Sequence, residues 1–114
     1  MMTTVVAYPS STKTSLEQRL SARARERWPE LARVSVRHRA AFSYVDGVRS
    51  DGTTIKLCRL RYVGSAHNWR FAIYRASHND YDESIFPIGL PIGTCEDACD
   101  TACGLCLGDP TAWT

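Results

Sequence analysis

The chain has no long apolar run. Its longest uninterrupted apolar stretch is a few residues, far short of the about 20 needed for a membrane-crossing helix, so no membrane association is expected. The opening residues, Met1 to Ser15, are rich in Thr and Ser and carry no basic segment followed by an apolar one. That predicts no secretory signal and a cytoplasmic protein. Lysine is scarce: Lys13 and Lys56 stand among 14 bases, and the others are all Arg. There is no phosphate-cradling glycine loop, no H-x3-H pair, no internal repeat and no low-complexity tract. With 44% hydrophobic and 23% charged residues in 114, wholesale disorder, a collagen repeat and a coiled-coil rod are excluded. The length suits one domain. A loose segment is expected over 1–14 and a single domain over 15–114.

No base occurs after Arg75. Residues 1–76 hold all 14 bases and five acids (Glu17, Glu26, Glu30, Asp46, Asp51), a net of +9, whereas residues 77–114 hold seven acids and a net of −7. Two readings follow. Either the halves face each other and cancel within the fold, or the basic half meets an external anion, since Arg pairs bidentately with phosphate and carboxylate. The same polarity would also suit self-association, basic face to acidic face.

Five cysteines occur, Cys58, Cys95, Cys99, Cys103 and Cys106. An odd number without a secretory signal favours free thiols and a reducing compartment over a disulfide framework. The last four follow C-x3-C-x3-C-x2-C, which on a helix places them near about 0°, 40°, 80° and 20°. That arc also carries Ala98, Ala102 and Leu105. It predicts an amphipathic helix with its thiols in the core, where free Cys acts as a small hydrophobe. Glu96, Asp97, Asp100, Thr101 and Gly104 fall opposite, so Asp100→Ala is expected to be nearly silent. A metal site on Cys95, Cys99, Cys103 and Cys106 is the weaker alternative: Cys95 and Cys106 would lie about 16 Å apart along the axis, too far to share one tetrahedral ion. No cofactor and no stoichiometric metal are expected.

Leu16, Leu20, Ala24 and Trp28 repeat every four residues and predict a first helix, started by a capping box at Ser15 and Gln18 and ended near Pro29. Its other face carries Arg19, Arg23, Arg25 and Arg27. Alternation predicts a strand over Val34–Val45, a second over Thr54–Val63 and a third over Trp69–Ala76, with Asp46-Gly47 and Asp51-Gly52 as turns. Residues 77–93 read as a long connection, with a short helical turn near Asp82–Ile85. Thr94 caps a second helix that Gly108 and Pro110 end, and Trp113 is expected to tuck against the body. The fold class is α+β, an α-β-β-β-α order with two helices on one face of a three-stranded antiparallel meander.

That order resembles double-stranded-RNA-binding domains and small toxin–antitoxin proteins of the same topology. Those domains place bases at the start of the second helix. This one begins Glu96-Asp97 and adds Asp100, which repels phosphate. The stretches Leu57-Cys58-Arg59-Leu60-Arg61-Tyr62, Trp69 to Tyr74, Cys103-Gly104-Leu105 and Gly108 to Trp113 are similar to a family of small bacterial intracellular proteins without assigned function. The resemblance covers about residues 15–113. It implies a compact intracellular domain and no particular activity.

No catalytic constellation stands out. His38, His67 and His78 have no partner at ligand spacing, and the run His78 to Glu83 lacks the glycine and spacing of a calcium loop. The expected function is therefore an accessory or regulatory interaction protein without catalysis, working through a protein partner or a second copy. The alternative is nucleic-acid binding through Arg37, Arg39, Arg59 and Arg61 on one sheet face, with Arg19, Arg23 and Arg27 as a basic helix rim. One conflict attends that face: Ile55, Leu57 and Val63 share the parity of Arg59 and Arg61, so a bulge or register shift must separate them, or the face is mixed.

Overall fold

A computed structural model describes residues 8–65, 67–75, 79–84, 89–90 and 92–107. The elements run α1 (Ser10–Arg27), β1 (Leu31–Arg39), β2 (Phe42–Arg49), β3 (Thr54–Ser65), β4 (Asn68–Arg75), β5 (Asp80–Ser84), β6 (Ile92–Gly93) and α2 (Cys95–Leu107). The class is α+β, with two helices and one antiparallel sheet in the order β1-β2-β3-β4-β5. β6 continues the β5 edge by pairing Trp69 and Arg70 of β4. The sheet thus has six strands, not the three of an α-β-β-β-α order, and the topological resemblance built on that order lapses.

One of the three additional strands comes from dividing an expected one. The alternation over Val34–Val45 belongs to a hairpin, β1 and β2, joined by Ala40-Ala41 with Ala40 at φ 54. Ala-Ala carries no turn chemistry, so alternation alone runs straight through it. Across a two-residue turn the parity inverts. Phe42 and Tyr44 therefore share a face with Arg37 and Arg39, not with Val34 and Val36. Asp46-Gly47, read as a turn, lies inside β2. Space decides it: a Cβ on Gly47 would meet Leu31 Cδ2 at 2.8 Å and Leu57 Cδ1 at 3.3 Å. Asp51-Gly52 does turn, with Gly52 at φ 90, its N–H donating to Arg49 O, and Thr53 N–H donating to Asp51 Oδ1 at 2.9 Å. The polar run after Asn79 forms β5 rather than a helical turn, because β4 still offers an unpaired edge at Phe71–Arg75.

A bulge resolves the conflict at Leu57. Val45 pairs Cys58 and Asp46 pairs Lys56, so Leu57 is the extra residue. Leu57 and Cys58 both point into the core, and both are fully buried. Lys56, Arg59 and Arg61 are thereby left on the opposite face.

Both helices cover one side of the sheet. Leu16, Leu20, Ala24 and Trp28 pack with Val45, Leu57, Leu60, Trp69 and Phe71, and with Cys95, Ala98, Cys99, Ala102 and Cys103 of α2. α1 starts at Ser10, five residues before the capping box, with Pro9 at the cap and no side-chain cap. Residues 8–14 are thus part of the folded unit, and Tyr8 stacks on Tyr62 at 4.8 Å between centroids. α1 ends at Trp28, whose proline neighbour disfavours helical backbone. α2 is capped as expected, Asp97 N–H donating to Thr94 Oγ1 at 3.1 Å. The expectations for Gly108, Pro110 and Trp113, and for the side chain of Cys106, lie outside the described residues. No helix among the described residues is long and apolar enough to cross a membrane.

Candidate functional site

The seven arginines of the nucleic-acid reading fall into two groups. Arg19, Arg23 and Arg27 recur every four residues along α1 and face α2, where Glu96 and Asp100 have the same spacing. Arg19 clamps Glu96 through Nε and Nη2 at 2.9 and 2.8 Å. Arg23 clamps Asp100, with Nη2 to Oδ2 at 2.6 Å, and Arg27 Nη1 reaches the same oxygen at 3.4 Å. Arg19 holds the Glu96 carboxyl below the usual carboxylate range, although burial of that group pushes the other way. These three arginines therefore form a seam between helices rather than a rim for phosphate. The expectation that Asp100 is a dispensable surface acid is also wrong. It is 7% exposed and accepts the Trp28 indole N–H at 3.0 Å. A helical wheel shows which residues oppose the core-facing cysteines, but α1 covers that side too.

Arg37, Arg39, Arg59 and Arg61 do come together, on the sheet face away from the helices. The register sets them in two rows across the strands. One row reads Arg39, Phe42, Arg61, Arg70. The next reads Arg37, Tyr44, Arg59, Ala72, Glu83. Tyr74 pairs Tyr81 on the same face, and Lys56 Nζ lies over the Tyr74 ring at 5.0 Å. Rings link along and across the strands, Phe42 to Tyr44 at 6.4 Å within β2, Tyr44 to Tyr81 at 5.4 Å and Tyr81 to Tyr74 at 5.3 Å. Arg59 stands over Phe42 at 4.6 Å and Arg61 over the same ring at 5.7 Å. The sequence reading missed Phe42, Tyr44, Tyr81 and Arg70. Inverting parity at Ala40-Ala41 would have brought the first two to this face.

The charges on that face are unbalanced. Among the described residues it carries two acids: Glu83, held by Arg59 at 2.6 Å, and Asp46, 3.4 Å from Arg37. Arg39, Arg61 and Arg70 make no ion pair among the described residues, and Arg61 is the direct cross-strand partner of Arg70. Like charges in that position repel. Beside this row is a shallow pocket of about 450 Å³, lined by Arg37, Arg39, Tyr44, Lys56 and Tyr81 as well as His38. Asp46 lies next to it, 8% exposed, with Oδ1 sealed from solvent and without a hydrogen-bond partner among the described residues.

Other chemistry-bearing groups are already engaged. His38 bridges Glu17 Oε2, 2.6 Å from Nε2, and Ser43 Oγ, 2.8 Å from Nδ1. Ser43 in turn meets the Tyr8 hydroxyl at 2.6 Å. The acid–imidazole–hydroxyl order is that of a nucleophile triad, but Ser43 is fully buried and its oxygen is shared with Tyr8. The chain ties the first residues of the folded unit to β1 and β2. Cys58, Cys95, Cys99 and Cys103 are buried and outside any disulfide, with Cys99 and Cys103 sulfurs 4.0 Å apart. No group of potential ligands able to hold a metal occurs among the described residues.

Burial and the Glu96 charge push the Cys95 thiol up to about 12, and burial together with Glu17 pushes the Tyr8 phenol up to about 12 against the lowering bond to Ser43. Both groups stay protonated in the fold beyond their ordinary values of 9.0 and 10.0. Their stabilising effect is fully present below about pH 9 and is lost as pH rises toward about 12. The urea midpoint is therefore expected to fall between pH 9 and pH 11. A flat profile over that window would contradict it.

Compared with models of known families, with curated proteins and with solved structures, the chain has no match.

Proposed function

We propose that this chain is an accessory binding protein that takes single-stranded nucleic acid on its outer sheet face. The row Arg39, Phe42, Arg61, Arg70 carries the reading. Arg39 and Arg61 flank one ring, Arg70 pairs Arg61 on the next strand, and none of the three has an ion-pair partner among the described residues. A strand of nucleic acid supplies what the row lacks: phosphates relieve the repulsion, and an unstacked base covers the ring or a guanidinium plane. A duplex fits less well. Five strands at about 4.8 Å spacing make a platform about 19 Å wide, against a major groove of about 12 Å, and a duplex keeps its base faces stacked.

Self-association through opposite charges loses support. Glu96 and Asp100 are used by α1, Glu83 by Arg59, and Asp82 by Arg75 at 3.1 Å. The two halves cancel largely within one copy. Four buried thiols outside any disulfide favour a reducing compartment such as the cytoplasm.

The test is fluorescence anisotropy with a labelled oligonucleotide of about twelve nucleotides, a length typical of one such platform. With roughly three phosphates neutralised, affinity is expected to fall about twentyfold between about 50 and about 200 mM salt. Arg61→Glu or Arg70→Glu should cost at least about tenfold at the lower salt. Arg25→Glu makes the same change in net charge on the exposed side of α1 and should leave binding unchanged. No binding at low salt, or an equal loss from Arg25→Glu, would overturn the reading. Equal affinity for a duplex of the same sequence would overturn its single-strand part.

A further inference from the structure

Asp46 is an anomaly on a face built of cations. A buried carboxylate oxygen without a partner costs free energy, and native structures rarely keep one without use. Asp46 follows Tyr44 by two residues on β2, pairs with Lys56 across β3 and sits 3.4 Å from Arg37. Tyr44, Lys56 and Arg37 are three of the residues that line the pocket, and Tyr81 stands across it, 5.4 Å from Tyr44 between ring centroids. The phenol of Tyr81 is pushed up by burial and then by the Asp46 charge, which agrees with their closeness. So an acceptor without a donor lies directly beside a recess with aromatic walls and a basic rim.

We propose that this recess selects a guanine from the bound strand, its ring packed against Tyr44 and Tyr81 and its Watson–Crick edge donating to Asp46. The proposal rests on the single-strand reading above and adds a base preference to it. An ionised carboxylate only accepts. Guanine presents two adjacent donors, N1–H and the N2 amino group. Adenine and cytosine present one amino donor beside a ring nitrogen whose lone pair repels the second oxygen. Thymine and uracil flank their single N–H with two carbonyls and are the worst fit. Arg37, with 60% of its side chain exposed, and Lys56, also exposed, are long side chains at the rim whose movement would open the path to Oδ1. The site asks for a donor, not a metal ion, because its other neighbours are cationic.

The probes are an oligothymidylate of about twelve nucleotides and the same strand with one central guanine, adenine or cytosine. For the native protein the guanine strand should bind about tenfold tighter than the all-thymine strand, the size of one hydrogen-bonded pair to a charged acceptor. The adenine and cytosine strands should gain less. In Asp46→Asn, which keeps the shape and removes the charge, the guanine-to-thymine ratio should fall to near one. Equal affinity of the guanine and all-thymine strands for the native protein would overturn this proposal alone. So would a ratio that Asp46→Asn leaves intact. If none of the four strands binds, the single-strand reading falls and this proposal with it.

Discussion

Asp100→Ala is expected to destabilise the fold by about 3 to 5 kcal/mol, the usual cost of removing one member of a buried ion pair. Asp100 accepts from Arg23, Arg27 and the Trp28 indole, and its side chain is 10% exposed. Truncation leaves a fully buried indole N–H without an acceptor and a guanidinium, 27% exposed, facing the empty space. Because small domains hold roughly 5 to 15 kcal/mol in total, the loss should be visible as a large drop in urea midpoint. Asp100→Asn keeps an oxygen for Trp28 and loses the charge that Arg23 and Arg27 share, so about half the effect should remain. A loss under about 1 kcal/mol for the alanine variant would show that the helix seam contributes little, as exposed ion pairs do.

The same residue marks where sequence reading stops. The four-residue stripe Leu16, Leu20, Ala24, Trp28 and the thiol arc of α2 were legible, because helical period and burial are local properties of a segment. That Arg19, Arg23 and Arg27 meet Glu96 and Asp100 was not. Each set looks solvated on its own helix, and only the packing of the two helices brings them together. The sheet shows the same division. The parity conflict between Leu57 and Arg59 was legible, and the bulge at Leu57 is how the strand resolves it. The hairpin at Ala40-Ala41 was not, since neither alanine favours a turn and the alternation continues across it in sequence while reversing in space. That one missed turn hid Phe42 and Tyr44 from the candidate site. Four of the seven proposed arginines did share a face, but the aromatic rings that change what the face can bind, and the orphan acceptor of Asp46, depend on register.

Cys103→Asp should abolish the folded state, and Cys103→Ala should cost only about 1 to 2 kcal/mol. Cys103 is fully buried on the side of α2 that rests on the sheet, with the Cys99 sulfur 4.0 Å away and Leu, Phe and Trp side chains in the same cluster. Arg19, Arg23 and Arg27 of α1 are committed to Glu96 and Asp100 on the other side of α2. A carboxylate at 103 would therefore be buried without a counter-ion, or would be forced neutral with an unmet hydrogen bond; either state costs several kcal/mol. Alanine removes one sulfur and leaves a small void, a much smaller loss. Circular dichroism and urea unfolding distinguish the three proteins. Thiol accessibility tests the packing without any substitution: Cys58, Cys95, Cys99 and Cys103 should react with a bulky disulfide reagent only as fast as the protein opens. Immediate labelling of all four in the native protein, located by mass spectrometry, would mean that this face of α2 does not form the core.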